Sequence, residues 1–353
     1  MKPELEPRTR KPRKGGTSGT TLADVASHAG VSTATVSRML NAPQMVSARM
    51  RGRIETAIRE LHWVPNGSAQ SLVTRRTKSI GAIIPTFGHQ GIAGMAEALQ
   101  GELSRARNTL LIGLSSGRPE ETLRQGKTML ERGIDAIVLF GEDQPEELME
   151  LIYAQNLPHV IAYTSGTQTK SVCIGFDNFK EMAGLTRYLL ELGHRSFGLI
   201  GREHSNNDRV RLRVAGLIDT LADEGIAIRP AHRMITENWS IGAGREAMRK
   251  ILASPPVPTA VVCTNDYLAA GAAIEARAAG IKVPDEMSIT GFDDLEWAAV
   301  NDPPLTSVRV PSEDIGVAIA KYLLDSLDGA SPPRPEPLSA KLMVRGSTAP
   351  PQG

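Results

Sequence analysis

The sequence predicts a small all-α helix-turn-helix domain followed by an α/β core of two doubly wound parallel-sheet subdomains. Three observations predict it. Apolar residues recur at helical spacing in three short runs between Thr21 and Leu61. From Ser79 onward, short apolar runs alternate with helical stretches at intervals of roughly 25–30 residues, the rhythm of parallel sheets crossed by helices. That alternation then occurs a second time, and two such halves leave a cleft between them suited to a small molecule.

The chain has 353 residues, enough for two or three compact units. Its 41% hydrophobic and 22% charged residues exclude a disordered or fibrous chain. No apolar run approaches the roughly 20 residues of a membrane span, and the charged, proline-rich beginning lacks the apolar core of a secretory signal. The two cysteines, Cys173 and Cys263, each sit in an apolar stretch and read as small buried hydrophobes in a reducing cytoplasm. A net charge of +1 conceals an asymmetry: residues 1–78 carry 14 Lys and Arg against 5 Asp and Glu, the remainder 26 against 34. A basic head on an acidic body is the distribution expected when only the head meets a polyanion.

Residues 1–20 lack large apolar side chains and read as a disordered basic arm attracted to phosphates. In TLADVASHAG, Thr21 caps a first helix whose inward residues are Leu22, Val25, Ala26 and Ala29, and Gly30 ends it. Ser32 caps a second helix with Val36, Met39 and Leu40 on its apolar side. Ser47 caps a third, running to about Leu61, with Ile54, Ala57, Ile58 and Leu61 as its stripe. In the core, SIGAIIP, TLLIGL, DAIVLF, HVIAY and SVCIGF read as strands, followed by FGLIG, HRMIT, AVVCTN and MSITGF.

A helix that enters a major groove needs small polar side chains near its start and a base- or phosphate-binding residue further on. Ser32, Thr33, Ala34, Thr35, Ser37 and Arg38 supply that set, Arg38 being able to fork onto guanine or clamp a phosphate. The bland alternative is a small helical domain whose Ser and Thr only cap and solvate.

Across its whole length, TLADVASHAGVSTATVSRMLNAPQMVSARMRGRIETAIRELHWVPN resembles the DNA-binding signature of the lactose-repressor (LacI/GalR) family. The likeness continues to about Val344, and IGFDN and CTNDYLAAGA resemble the core of gluconate-type repressors. It implies a periplasmic-binding-protein-like core and DNA contacts at Thr21, Leu22, Ser32, Thr33, Ala34, Thr35, Ser37, Arg38, Asn41, Met45, Val46, Ser47 and Asn66. It also implies a hinge helix over Pro65–Thr74, where Ala69 and Leu72 match the position that wedges into a minor groove. Trp63 departs from the family's usual Tyr.

In the core, the resemblance points to Arg213 as the effector's grip, with Asn265, Asp266 and Asp293 at neighbouring cleft positions. Arg213 also reads as a surface ion-pair residue, and Asp266 as a helix N-terminal cap; Asp177-Asn178 read as structural. An aromatic platform common in the family is replaced by His89-Gln90-Gly91-Ile92, and an Asp by Tyr163, so His89, Gln90 and Tyr163 join the candidate contacts.

These features divide the chain into an arm (1–20), a head (21–65), a hinge (66–78), a core (79–345) and a tail (346–353). Within the core, the first subdomain takes 79–176 plus 307–331 and the second 177–306 plus 332–345. The expected protein is a cytoplasmic, nucleoid-associated bacterial regulator and not an enzyme. It is expected to be a repressor that binds a palindromic double-stranded operator as a homodimer under control of a sugar or sugar acid, with no cofactor and no metal. Other readings are an activator or dual regulator of the same family, or a periplasmic-type sugar-binding protein. The latter would lack Thr21–Pro65 and carry a signal peptide. A third, a dinucleotide-binding oxidoreductase, rests on Gly242-x-Gly244-x-x-Ala247, but no strand feeds into the first glycine there.

Overall fold

The computed structural model describes residues 20–64, 76–166, 169–202 and 207–352. Residues 1–19 of the arm, the hinge as far as residue 75 with Asn66, Ala69 and Leu72, and Gly353 lie outside the described residues. Two compact units emerge, divided after Thr77.

The head holds helices α1 (Leu22–Ala29), α2 (Thr33–Asn41) and α3 (Ala48–Glu60). Their apolar stripes close on one core of Val25, Val36, Ile54 and Ala57, joined by Trp63, whose indole fills the place where the family usually has Tyr. Gly30 leaves α1 at φ 60°, a left-handed geometry that costs glycine least, and its N–H returns to the carbonyls of Ala26 and Ser27. A hydrogen bond of 2.6 Å between His28 Nε2 and Glu60 Oε2 ties α1 to α3.

The core begins with β1 (Ser79–Ile84), α4 (Gln90–Arg105), β2 (Thr109–Leu114), α5 (Pro119–Glu131), β3 (Ala136–Phe140), α6 (Glu146–Ala154), β4 (His159–Ala162) and β5 (Cys173–Ile174). These strands form a parallel sheet in the order β2-β1-β3-β4-β5. Next come α7 (Asn178–Glu191), β6 (Phe197–Gly201), α8 (Asp208–Asp223), β7 (Arg233–Ile235), α9 (Ile241–Leu252), β8 (Ala260–Cys263), α10 (Asp266–Ala278), β9 (Ser288–Asp293) and β10 (Thr306–Arg309). They repeat the same order, β7-β6-β8-β9-β10, with β11 (Lys341–Met343) antiparallel on the last edge. The central strands are buried on both faces, which is why they read as unbroken apolar runs. Cys173 and Cys263 are free thiols in different sheets, and burial pushes the Cys173 thiol up to about 12.

Two expected boundaries need correction. Residues 307–309 belong to the second sheet, because Thr306–Arg309 pair in parallel with β9. The chain returns to the first half only at α11 (Ser312–Leu327), which packs along α4 and beside β4. The expected tail is part of the body: Ser347 Oγ donates to Ile289 O at 2.6 Å and accepts from Thr306 N at 2.8 Å, while the backbone of Ala349 bonds Ser288. These bonds satisfy backbone groups that the sheet edge would otherwise expose. The halves are therefore linked by three crossings, at 175–177, 310–311 and 328–340, and the first and third meet where Leu338 N donates to Gly175 O.

Of Gly242-x-Gly244, the second glycine serves packing. A Cβ on Gly244 would press on the backbone of Leu268, and one on Gly271 would lie 2.8 Å from Gly244 Cα. The pair lets α9 and α10 touch backbone to backbone. Ser240 caps α9, accepting from Ala243 N at 3.1 Å, so no strand runs into the first glycine.

Among the described residues, no helix is long and apolar enough to cross a membrane.

Candidate reading head and effector cleft

In α2, Thr33, Ser37, Asn41, Ala34 and Arg38 fall within about 140° of arc at 100° per residue, opposite Val36, Met39 and Leu40. The first group is exposed, except for half-buried Ser37, and the second faces the head core. Small side chains thus surround Arg38 on an open face, the geometry a groove-reading helix needs. Ser32 accepts from Thr35 N at 3.2 Å, and its hydroxyl meets Thr35 Oγ1 at 2.9 Å. Asn41 donates to Ser37 O at 2.9 Å. Thr21 and Asp24 form a reciprocal capping box on α1, and the Thr21 hydroxyl holds the Asp24 carboxyl below its ordinary range. Ser47 caps α3, and Met45 is 71% exposed beside it. Leu22 is half-buried against the head core, in the inward place expected of it in α1, whereas Val46 is buried. An apolar side chain buried there gains more from the core than from a groove, so Val46 has its backbone to offer DNA.

The cleft lies between the two sheets, at the carboxyl ends of β1, β3, β6, β8 and β9, where a doubly wound sheet binds its ligand. Its empty space, open mouth included, is about 840 Å³. Arg213 is buried rather than part of a surface pair. Its Nε donates to Asn178 Oδ1 at 2.9 Å, and Nη1 donates to Thr264 O at 2.9 Å and Asp293 Oδ1 at 3.4 Å. The guanidinium lies 3.7 Å over the Phe292 ring, and burial draws its pKa down. Asp293, at φ 104°, completes a chain across the cleft by accepting from His89 Nε2 at 2.9 Å.

Asn265 lines the cleft, but its Oδ1 caps α10 by accepting from Leu268 N at 2.9 Å, which leaves its amide nitrogen as the group to offer. The cap is therefore Asn265, not Asp266. Asp266 is fully buried and accepts from Leu295 N at 2.7 Å and Ser307 Oγ at 2.6 Å. Burial and the nearby Asp293 push its carboxyl well up. Tyr163 also lines the cleft, yet its hydroxyl donates to Gly91 O at 2.9 Å and lies 2.8 Å from Ser312 Oγ, so only its ring remains for a ligand. Gln90 falls outside the cleft. It accepts from Glu296 N at 3.2 Å, on a separate groove along the seam. As the first residue of α4 it turns away from the ligand side that its neighbour His89 faces.

Sequence reasoning missed Trp239, Phe140, Arg202 and Arg209, all of which line the cleft. Trp239 stands edge-on to His89 (5.6 Å between ring centres) and tilted on Tyr267 (5.0 Å). The aromatic wall missing after β1 comes instead from the far half and the end of β3. A lone Trp in a polar loop was the available signal. Further contacts close the two halves on each other: Tyr267 Oη to Gly88 O at 3.3 Å, Arg209 Nη1 to Phe140 O at 3.2 Å, and Glu142 N to Asp208 Oδ2 at 2.9 Å.

A chain that carries both a three-helix reading head and a two-lobed ligand cleft is, by class, a DNA-binding regulator governed by a small molecule. Comparison with known proteins agrees. Residues 21–66 match the profile of the bacterial regulatory proteins of the lacI family, and residues 186–348 that of a periplasmic binding protein-like domain. The HTH-type transcriptional regulator GntR of Escherichia coli K12 is 30% identical over 332 residues, covering 94% of this chain and 97% of that protein. The HTH-type transcriptional repressor PurR of Escherichia coli O139:H28 is 30% identical over 329 residues, covering 92% and 94%. Among solved structures, the lac repressor dimer bound to operator and the anti-inducer ONPF superposes with a TM-score of 0.82 at 25% identity, covering 94% of this chain and 99% of that one. The chain belongs to the lacI family of bacterial regulatory proteins. It is a DNA-binding transcription regulator controlled by a small-molecule effector.

Proposed function

We propose that the protein is a repressor that binds a near-palindromic operator as a homodimer and releases or engages it in response to a sugar or sugar acid held in the cleft. The observation that carries the sensing half is the chain His89–Asp293–Arg213, which joins one lobe to the other through groups able to bind hydroxyls. A ligand that competes for these groups changes how the lobes close. The reading half is supported by the exposed face around Arg38 and by two relatives: one is named a transcriptional repressor, and the other is a dimer seen on its operator. In this reading Arg38, Thr33 and Ala34 enter the major groove, and the hinge residues Ala69 and Leu72 enter the central minor groove. Coupling is reciprocal: an effector that weakens operator binding is itself bound more weakly on the operator.

The test is selection of random duplexes by the full-length protein at near-physiological salt, followed by titration of sugars and sugar acids against the selected duplex. Enrichment of a palindrome of about 14–20 bp, released or tightened by one of these compounds, is the expected result. Enrichment of an asymmetric site would remove the symmetric dimer. Indifference to every compound would remove the hydroxylated effector.

A further inference from the structure

We infer that the two lobes are joined beside the cleft by a charged clasp, centred on Asp143 and Arg211, that opens as ionic strength rises while the His89–Asp293 bond stays shut. The inference rests on the reading of this cleft as the effector site. Its test uses no effector, so the two can fail separately.

Residues 140–143, at the end of β3, face residues 208–211, at the start of α8. Asp143 and Arg211 form a forked pair: Nη1 donates to Oδ2 at 2.6 Å and Nη2 to Oδ1 at 2.7 Å. Beside it, Glu142 N donates to Asp208 Oδ2 at 2.9 Å and Arg209 Nη1 to Phe140 O at 3.2 Å. Each of these contacts between the lobes has a charged group on at least one side. Gly141 lies in their midst at φ 83°, and a Cβ there would fall on the Arg209 guanidinium and the Asp208 carboxylate. That glycine is what lets the two segments approach so closely.

Exposure separates this pair from the other one that bridges the lobes. The side chains of Asp143 and Arg211 are 25% and 37% exposed, those of Asp293 and His89 6% and 13%. Water and salt screen the first pair far more than the second. The neutral contacts between the lobes, Tyr267 Oη on Gly88 O and the Trp239 ring edge-on to His89, respond to salt still less. Forked geometry gives Asp143–Arg211 more weight than an ordinary exposed pair, so its loss is felt by the bonds beside it. Phe140 and Arg209 line the effector cavity. Opening the clasp bares that wall without parting His89 from Asp293, so the core has a side entrance whose opening follows the salt concentration.

The experiment uses the full-length protein and follows hydrogen exchange at the Glu142 amide, whose bond to Asp208 breaks when the clasp opens. The buried amides of Ile137, Val138 and Leu139 in β3 are the internal control. Raising NaCl from about 0.05 to about 0.5 M cuts the screening length roughly three-fold, and exchange at Glu142 should quicken about three-fold with the β3 amides unchanged. Arg211→Gln should raise the low-salt rate about five-fold and remove the salt response, and Asp143→Asn should do the same. Because the two residues act as one pair, the double variant should exchange no faster than either single one. A wild-type rate indifferent to salt overturns the inference, and that arm stands whether or not the variants fold. Single effects that multiply in the double variant also overturn it, since each residue would then act through a partner of its own.

Discussion

His89 and Asp293 stand 204 positions apart in sequence and meet at 2.9 Å across the cleft, one from each half of the core. On its other oxygen, Asp293 holds Arg213, so a single carboxylate answers both a neighbouring cation and the opposite lobe.

Asp293→Asn keeps the shape and removes the charge. Breaking a buried pair leaves its partner unpaid, so the core should lose about 3 kcal/mol and its effector response. Urea unfolding followed by Trp239 and Trp297 fluorescence measures the first, and effector titration on operator DNA the second. An unchanged unfolding midpoint would mean that Arg213 is neutralised elsewhere.

Arg38→Ala should erase operator preference and leave the core's melting unchanged, because Arg38 is exposed on the head. A forked arginine–guanine contact discriminates by about 1–3 kcal/mol. Competition between the selected duplex and random DNA reads the loss directly. Retained preference would move base reading to another part of the head.

Asp266 predicts a pH effect of definite sign. Its carboxyl is pushed well above the ordinary range in the folded chain, so its protonation favours folding. That contribution is complete below the ordinary carboxylate value and is lost as pH rises through the raised one. Asp266→Asn should therefore gain on wild type as pH rises, with a limiting slope of about 1.4 kcal/mol per pH unit. Parallel stability curves for the two proteins between pH 4 and 8 would show that Asp266 ionises freely.

Gly271→Ala should be costly although alanine favours helices. The new methyl would lie 2.7 Å from Arg245 N and 2.8 Å from Gly244 Cα, backbone atoms that cannot turn aside. Overpacking of this kind costs about 1–3 kcal/mol. Gly280→Ala tests a different cost, since that glycine has open space but φ of 81°. Equal melting of Gly271→Ala and wild type would show that α9 and α10 part easily.

Local features were legible in the sequence because their causes are local. Thr21, Ser32 and Ser47 cap the helices they precede, and the apolar stripe of α2 leaves Arg38 on the open side. The repeat of the strand order followed from the repeat of alternating runs. Interactions set by distant chain segments were not legible. Gln90 and His89 are adjacent, yet one ties the seam and the other faces the cleft. Arg202 and Arg209 carry no local mark distinguishing them from surface arginines; only the fold brings them to the cleft. Similarly, 307–309 joined the second sheet because β9 offered an edge, a fact fixed 14 or more residues earlier in the chain than any local pattern could register.

The three crossings between the halves bear on how the chain is made. Neither lobe is a continuous stretch of polypeptide: the first lacks α11 until residue 327 is reached, and the second lacks β11 and the Ser347 strap until residue 347. During synthesis, the helix that covers α4 therefore arrives after most of the other lobe has been made. The first lobe is completed at residue 327 and the second at residue 347, and cutting the gene at any single point between them yields two incomplete pieces rather than one finished lobe.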